Sequence, residues 1–237
     1  MKKLSMYLAM NFMFSLSVSA FILIDPGYRL SNPEDVRLGV VAGGCSGNGI
    51  SDAELVGYLE EAVDDYWNTV PDSLLYIKVV GEIARESNGE ASPGTIFVTC
   101  DTLSDGTLGV ANVNSTNNGC RLRMSDKYIG GSLNREDFMG TLIHELGHCV
   151  GLNHSDDTAS VMTYNATVYV QPAALSRDDK DGVTYLYPYG SEAGLFGSCS
   201  LLASSGERPQ GTGFLIALLS FIGTLVVTRM LFKRIGF

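Results

Sequence analysis

All three histidines of this 237-residue chain stand within eleven residues, as His144, His148 and His154 of the run HELGHCVGLNH. That spacing constrains the local fold more than any other feature. Two histidines four apart share one face of a helix about one turn from each other, so their rings approach a common point. The third lies six residues further on, where a continuing helix would turn it away. The helix must therefore stop and the chain double back. Gly151 stands where the reversal is needed, a residue that takes positive φ without a Cβ clash. Three histidines can be placed in 237 positions in about 2.2 million ways, and only roughly 230 give this spacing, so chance accounts for it on the order of once in ten thousand.

Neutral imidazole suits zinc, and a catalytic zinc takes three protein ligands while keeping its fourth position for water. His144, His148 and His154 supply the three. Glu145, next to the first, is placed to take a proton from that water rather than to bind the metal. Asn134 is the expected N-cap of this helix, with Phe138, Leu142, Ile143 and Leu146 toward the core and His144 and His148 toward a cleft.

The run resembles the metzincin metalloproteases, whose pattern HExxHxxGxxH it matches in full, and Ser155 after the third histidine is similar to the matrixin (peptidase M10) branch. SVMTY, residues 160–164, resembles the family's Met-turn, which implies that Met162 lies beneath the metal. LSRDDKDGVTYLY, residues 175–187, resembles the closing helix of matrixins, in which an aspartate pair, here Asp178 and Asp179, supports the Met-turn and the N-terminus. Where matrixins carry proline two residues after the Met-turn methionine, this chain has Tyr164, as in the astacin and serralysin branches. There the tyrosine can touch the zinc and stabilise the transition state, which the resemblance implies as one role for Tyr164; packing beneath the cleft is the other reading. With no histidine left for a structural zinc, the expectation is one catalytic zinc. Asp101, Asp105 and Asp126 offer carboxylates for the calcium that the family often holds, without an ordered calcium-loop spacing.

The chain ends suggest where this chemistry takes place. Two lysines, an apolar run and the ending Ser17 to Ala20 read as a signal peptide over residues 1–20, with an uncleaved anchor as the alternative. Residues 211–228 hold no charge and are followed by Arg229, Lys233 and Arg234, which reads as a membrane span over 213–232 with a basic end to 237. Between them, 189–212 is a Gly/Ser-rich linker containing Cys199. This arrangement resembles the sorting tails of bacterial envelope proteins, and the tail is either retained as an anchor or removed. Either fate puts the domain, 21–188, on the extracellular side of a membrane or envelope.

Four further cysteines fall in that domain and suit disulfides in an oxidising compartment. They allow three pairings, of which Cys100 with Cys120 and Cys45 with Cys149 is favoured. A rival use for Cys45 is as a thiolate cap on the metal, although the usual propeptide motif is absent. Residues 21–206 carry ten basic and 25 acidic side chains, a net −15, which argues against nucleic acid as a partner. Nothing in the pattern specifies an oligomeric state.

Short β-branched or alternating runs mark strands at 36–42, 74–83, 95–100, 107–113 and 120–124. Ser51 and Glu54 open a helix with apolar Val56, Leu59, Val63, Tyr66 and Trp67, stopped at Pro71. The expected architecture is α+β, a metzincin-like five-stranded mixed twisted sheet with three helices. The resemblance implies a zinc metalloendopeptidase acting on protein or peptide substrates, with strand 107–113 pairing the substrate and residues 163–174 walling its side-chain pocket. The alternative is a catalytically silent zinc-containing recognition or adhesion module, against which intact Glu145 speaks.

Overall fold

The computed structural model describes residues 21–84, 89–126, 134–164 and 171–189. All belong to the first of two units into which the chain divides, Met1–Ser191. The expected signal peptide, the linker from residue 190 onward and the apolar span lie outside the described residues. Among the described residues, no helix is long and apolar enough to cross a membrane.

Five strands form one sheet: β1 (Val36–Val40), β2 (Ile77–Glu82), β3 (Thr95–Asp101), β4 (Gly109–Asn114) and β5 (Gly119–Ser125), in the order β2-β1-β3-β5-β4. The first four in that order run parallel, and β4 alone pairs antiparallel, with β5, as an edge strand. β3 lies between β1 and β5, and its first five residues are buried, as a strand covered on both faces should be. Three α-helices accompany the sheet: α1 (Asp52–Asp64), α2 (Arg135–Val150) and α3 (Arg177–Leu186). Leu38, Val40, Ile96, Val98, Leu122 and Met124 of the strands are buried with Leu55 and Leu59 of α1 and Met139, Leu142 and Leu146 of α2 in one apolar cluster.

The mixed sheet and three helices agree with the expected class, and two local readings change. α1 ends at Asp64, so Tyr66 and Trp67 fall at a separate 3-10 turn, Trp67–Thr69. There the indole Nε1–H of Trp67 donates to the Ile143 carbonyl of α2 (3.2 Å), an attachment that a straight helix would not make. On α1 itself Leu59 and Val63 are buried as expected, with Leu55 and Ala62 beside them, while Val56 is only half-buried.

The disulfides are Cys45–Cys100 and Cys120–Cys149, which overturns the favoured pairing. Strand direction is the reason. β3 and β5 are parallel with Ile96 opposite Cys120 and Cys100 opposite Met124. Cys100 and Cys120 are thus four residues out of register, roughly 13 Å along the strand, beyond what a disulfide spans. Cys100 instead meets the loop after β1, where its N–H donates to the Gly44 carbonyl (3.0 Å). Cys45 is consumed in that bond and is not a metal cap.

Candidate metal and catalytic site

α2 begins with a reciprocal cap. The Asn134 side chain accepts from Asp137 N–H (3.0 Å) while the Asp137 carboxylate accepts from Asn134 N–H (3.1 Å), satisfying two donors that the first turn leaves free. At the other end Gly151 takes φ 112°, and its N–H closes onto the Gly147 and His148 carbonyls. From this left-handed residue the chain returns toward the helix, bringing His154 to His144 and His148 on α2.

The three imidazoles converge. Their ligand nitrogens lie within 4.8 Å of one another, with His148 Nε2 3.2 Å from His154 Nε2. Tetrahedral zinc with Zn–N bonds of about 2.0–2.1 Å separates its ligands by roughly 3.4 Å. The opposite ring nitrogens are already engaged: His144 Nδ1 contacts the Val161 carbonyl (2.7 Å) and His148 Nδ1 the Leu152 carbonyl (2.8 Å). A carbonyl only accepts, so each Nδ1 carries the proton and each Nε2 presents its lone pair to the common point. Desolvation holds both groups neutral, lowering His144 to about 3 and His148 to about 4; burial lowers His154 as well. Neutral, oriented and convergent nitrogens fit zinc.

Glu145 is 6 % exposed, and burial pushes its carboxyl from 4.5 up to about 7, opposed by a backbone hydrogen bond from Ala111 of the edge strand β4. Gly109, also on β4, makes room for it: a Cβ there would lie 2.6 Å from Glu145 Cγ and 3.0 Å from Oε1. A cleft of about 420 Å³, lined by Gly106 to Ala111 with His144, Glu145, His148 and His154, opens at this point. A larger groove of about 1010 Å³, walled by Tyr76 and Tyr189, holds no such cluster of titratable groups, so the chemistry decides for the smaller one.

Met162 is buried, with its sulfur against Gly147 on α2. Its turn is tied down from α3. The Asp179 carboxylate accepts from Ser160 Oγ–H (2.5 Å) and Val161 N–H (3.1 Å), while Asp178 accepts from Ser155 Oγ–H (2.6 Å). Asp179 therefore holds Val161 through the Val161 N–H, and the carbonyl of the same residue faces His144. Tyr164 is 58 % exposed, its ring centroid 6.1 Å from that of His154. Residues 165–170 of the expected pocket wall lie outside the described residues. The wall's far end is anchored where Gln171 N–H donates to the Glu136 carbonyl and Tyr66 O–H to the Pro172 carbonyl.

The histidines, Glu145, Met162 and the aspartate pair thus come together as the motifs imply. Of the calcium candidates, Asp101 pairs with Arg121 (3.0 Å) and Asp126 accepts from Thr102. The roles of Gly109 and Ala111 beside Glu145, and of Ser155 and Ser160 as donors to the aspartates, emerge only from the fold. No motif marks the β4 pair, whereas Ser155 and Ser160 sit within quoted stretches and gain meaning once the aspartates face them.

Residues 94–188 match the family model of Matrixin, peptidase M10. The chain is 31 % identical over 78 residues to metalloendoproteinase 2-MMP of Arabidopsis thaliana, covering 33 % of this chain and 20 % of that protein's length.

Proposed function

We propose that this chain, which carries a matrixin-like metzincin domain, is a zinc-dependent metalloendopeptidase working outside the cytoplasm. The observation that carries the reading is the convergence of three neutral imidazoles on one point, with a buried carboxyl beside them and an edge strand along the cleft.

A bound zinc supplies Lewis-acid chemistry, polarising the scissile carbonyl and making water acidic. The protein's own groups do the rest. β4, with no strand on its far side among the described residues, pairs an extended peptide by main-chain hydrogen bonds and lays it across the cleft. Glu145 accepts the proton of the attacking water and delivers it to the leaving amine nitrogen; a carboxyl lifted toward neutrality is suited to both transfers. His144 and His148 stay fixed through their Nδ1–H bonds. Tyr164, beside His154, meets the negative charge that develops on the carbonyl oxygen.

Two disulfides in one domain suit an oxidising compartment. With the signal-like residues 1–20 and the apolar run before the basic end, they support export and anchoring at a membrane or envelope surface, or release after tail processing. Envelope or extracellular proteins are then the substrates.

The test is metal dependence. The full chain should hold one zinc, and stripping it with a chelator should abolish cleavage of a denatured protein substrate that zinc then restores. His154→Ala should weaken zinc at least tenfold. Cleavage insensitive to the chelator would rule the reading out.

A further inference from the structure

Between His148 and His154 the chain leaves α2, reverses at Gly151 and returns, and the backbone groups freed by that reversal find partners in one N-terminal segment. Ile24 N–H donates to the Gly151 carbonyl (3.0 Å), and Asn153 N–H donates to the Ile22 carbonyl (2.7 Å). The two segments form a short antiparallel ladder with Leu23 opposite Leu152. Further along the segment, fully buried Tyr28 donates its O–H to the Cys149 carbonyl (3.0 Å), with the Gly119 carbonyl at 3.4 Å. It thus spans the same two elements, β5 and α2, that the Cys120–Cys149 disulfide joins. Phe21 packs on α3 against Gly182 and the Tyr185 ring, which anchors the segment's other end.

The segment touches the backbone that aims the metal ligands. Leu152, held in the ladder, is the residue whose carbonyl receives His148 Nδ1–H. Asn153, whose N–H the segment accepts, directly precedes His154 and caps its N–H through Oδ1 (2.8 Å). The turn's own bonds, Gly151 N–H to His148 and Leu152 N–H to Gly147, fix the end of α2. The Gly151 carbonyl and Asn153 N–H, which set the direction of the chain toward His154, are met by the segment.

We infer that Ile22–Tyr28 is a positioning strap for the metal site. It holds the Gly151–Asn153 turn and through it the ring of His148 and the backbone of His154, so its hydrogen bonds contribute to metal affinity although none of its side chains is a ligand. The inference rests on the zinc reading above.

The test uses the full chain and reads metal rather than turnover. Ile24→Pro deletes the N–H that reaches Gly151; Ile24→Val keeps it. Leu55→Ala, in α1 and away from the metal ligands, serves as the control for plain destabilisation. Zinc affinity is measured by competition with a chromophoric chelator, and ligand geometry by the visible spectrum of the cobalt-substituted protein. Ile24→Pro should weaken zinc about tenfold and alter the cobalt spectrum, Ile24→Val should change neither, and Leu55→Ala should lower Tm with zinc affinity kept within about twofold. Tyr28→Phe, which keeps the ring and loses the donor to Cys149, should weaken zinc about threefold and supplies the same contrast if the proline variant does not fold. Unchanged zinc affinity and spectrum in the strap variants, or an equal loss in Leu55→Ala, overturns the strap while leaving the zinc reading intact. A wild-type chain that binds no zinc overturns both.

Discussion

The proposed role of Glu145 asks for a carboxyl that is buried yet able to carry a proton, and its neighbours on β4 set that burial. Gly109→Ala would place a methyl 2.6 Å from Glu145 Cγ and push the carboxyl off its position. With zinc content unchanged, kcat should fall about 10- to 100-fold with KM little altered, since displacements of about 1 Å have effects of that order; steady-state kinetics on a fluorogenic peptide reads this directly. The same burial has a pH signature in the metal-free protein. The folded carboxyl, raised from 4.5 to about 7, stays protonated where the unfolded one ionises, so its contribution to stability is present below 4.5 and lost as pH rises through 7. His144 and His148, lowered to about 3 and 4, act in the other sense: their contribution is present above about 6.5 and lost as pH falls through the folded values. Glu145→Gln removes only the first of these. Its stability should gain on the wild type between pH 4.5 and 7, by up to about 3 kcal/mol in urea unfolding of chelated protein; a pH-independent difference would show that the carboxyl is not held as described. The convergence of the three histidines beside Glu145 was legible because they sit in one short run whose spacing encodes their geometry. Gly109 and Ala111 were not, because they reach Glu145 through sheet pairing that local sequence does not express.

At the scale of elements, helix and strand positions were readable and strand direction was not. All five strands lie where β-branched runs placed them, and the Asn134 cap stands where the helix start was expected. The helix over 52–64 was extended too far because Tyr66 and Trp67 continue its apolar spacing, although they belong to a turn that attaches to α2. Disulfide pairing failed for a related reason. Two cysteines 20 residues apart suit a hairpin, but β3 and β5 are parallel, so Cys120 finds Cys149 on α2 instead. That bond closes 29 residues of sequence around the start of α2. Replacing Cys120 and Cys149 together by alanine should cost about 2–5 kcal/mol, read as a lower urea midpoint with Cys45–Cys100 intact. A double variant as stable as the wild type would mean that the bond does not restrain the unfolded chain.

At the scale of the whole molecule, the chain carries a net charge of −10, and the candidate site depends on partners from across the chain. α2 supplies two of the histidines and the carboxyl, β4 an edge along the cleft, α3 the bonds to the turn at 160–162, and the segment 22–28 the bonds to the turn before His154. The local motif alone marked the histidine cluster. The surrounding supports depend on residues far apart in sequence, several in pairs that carry no recognisable pattern. The most direct measurement of the central claim is cleavage of a broad quenched-peptide library by the full chain and by Glu145→Ala, with zinc determined on both. The wild type should cut while Glu145→Ala keeps one zinc and loses at least 100-fold in rate. A variant that cuts as fast as the wild type, or a zinc-loaded wild type that cuts nothing in the library, would contradict the assignment of Glu145 and the cleft as a peptidase site.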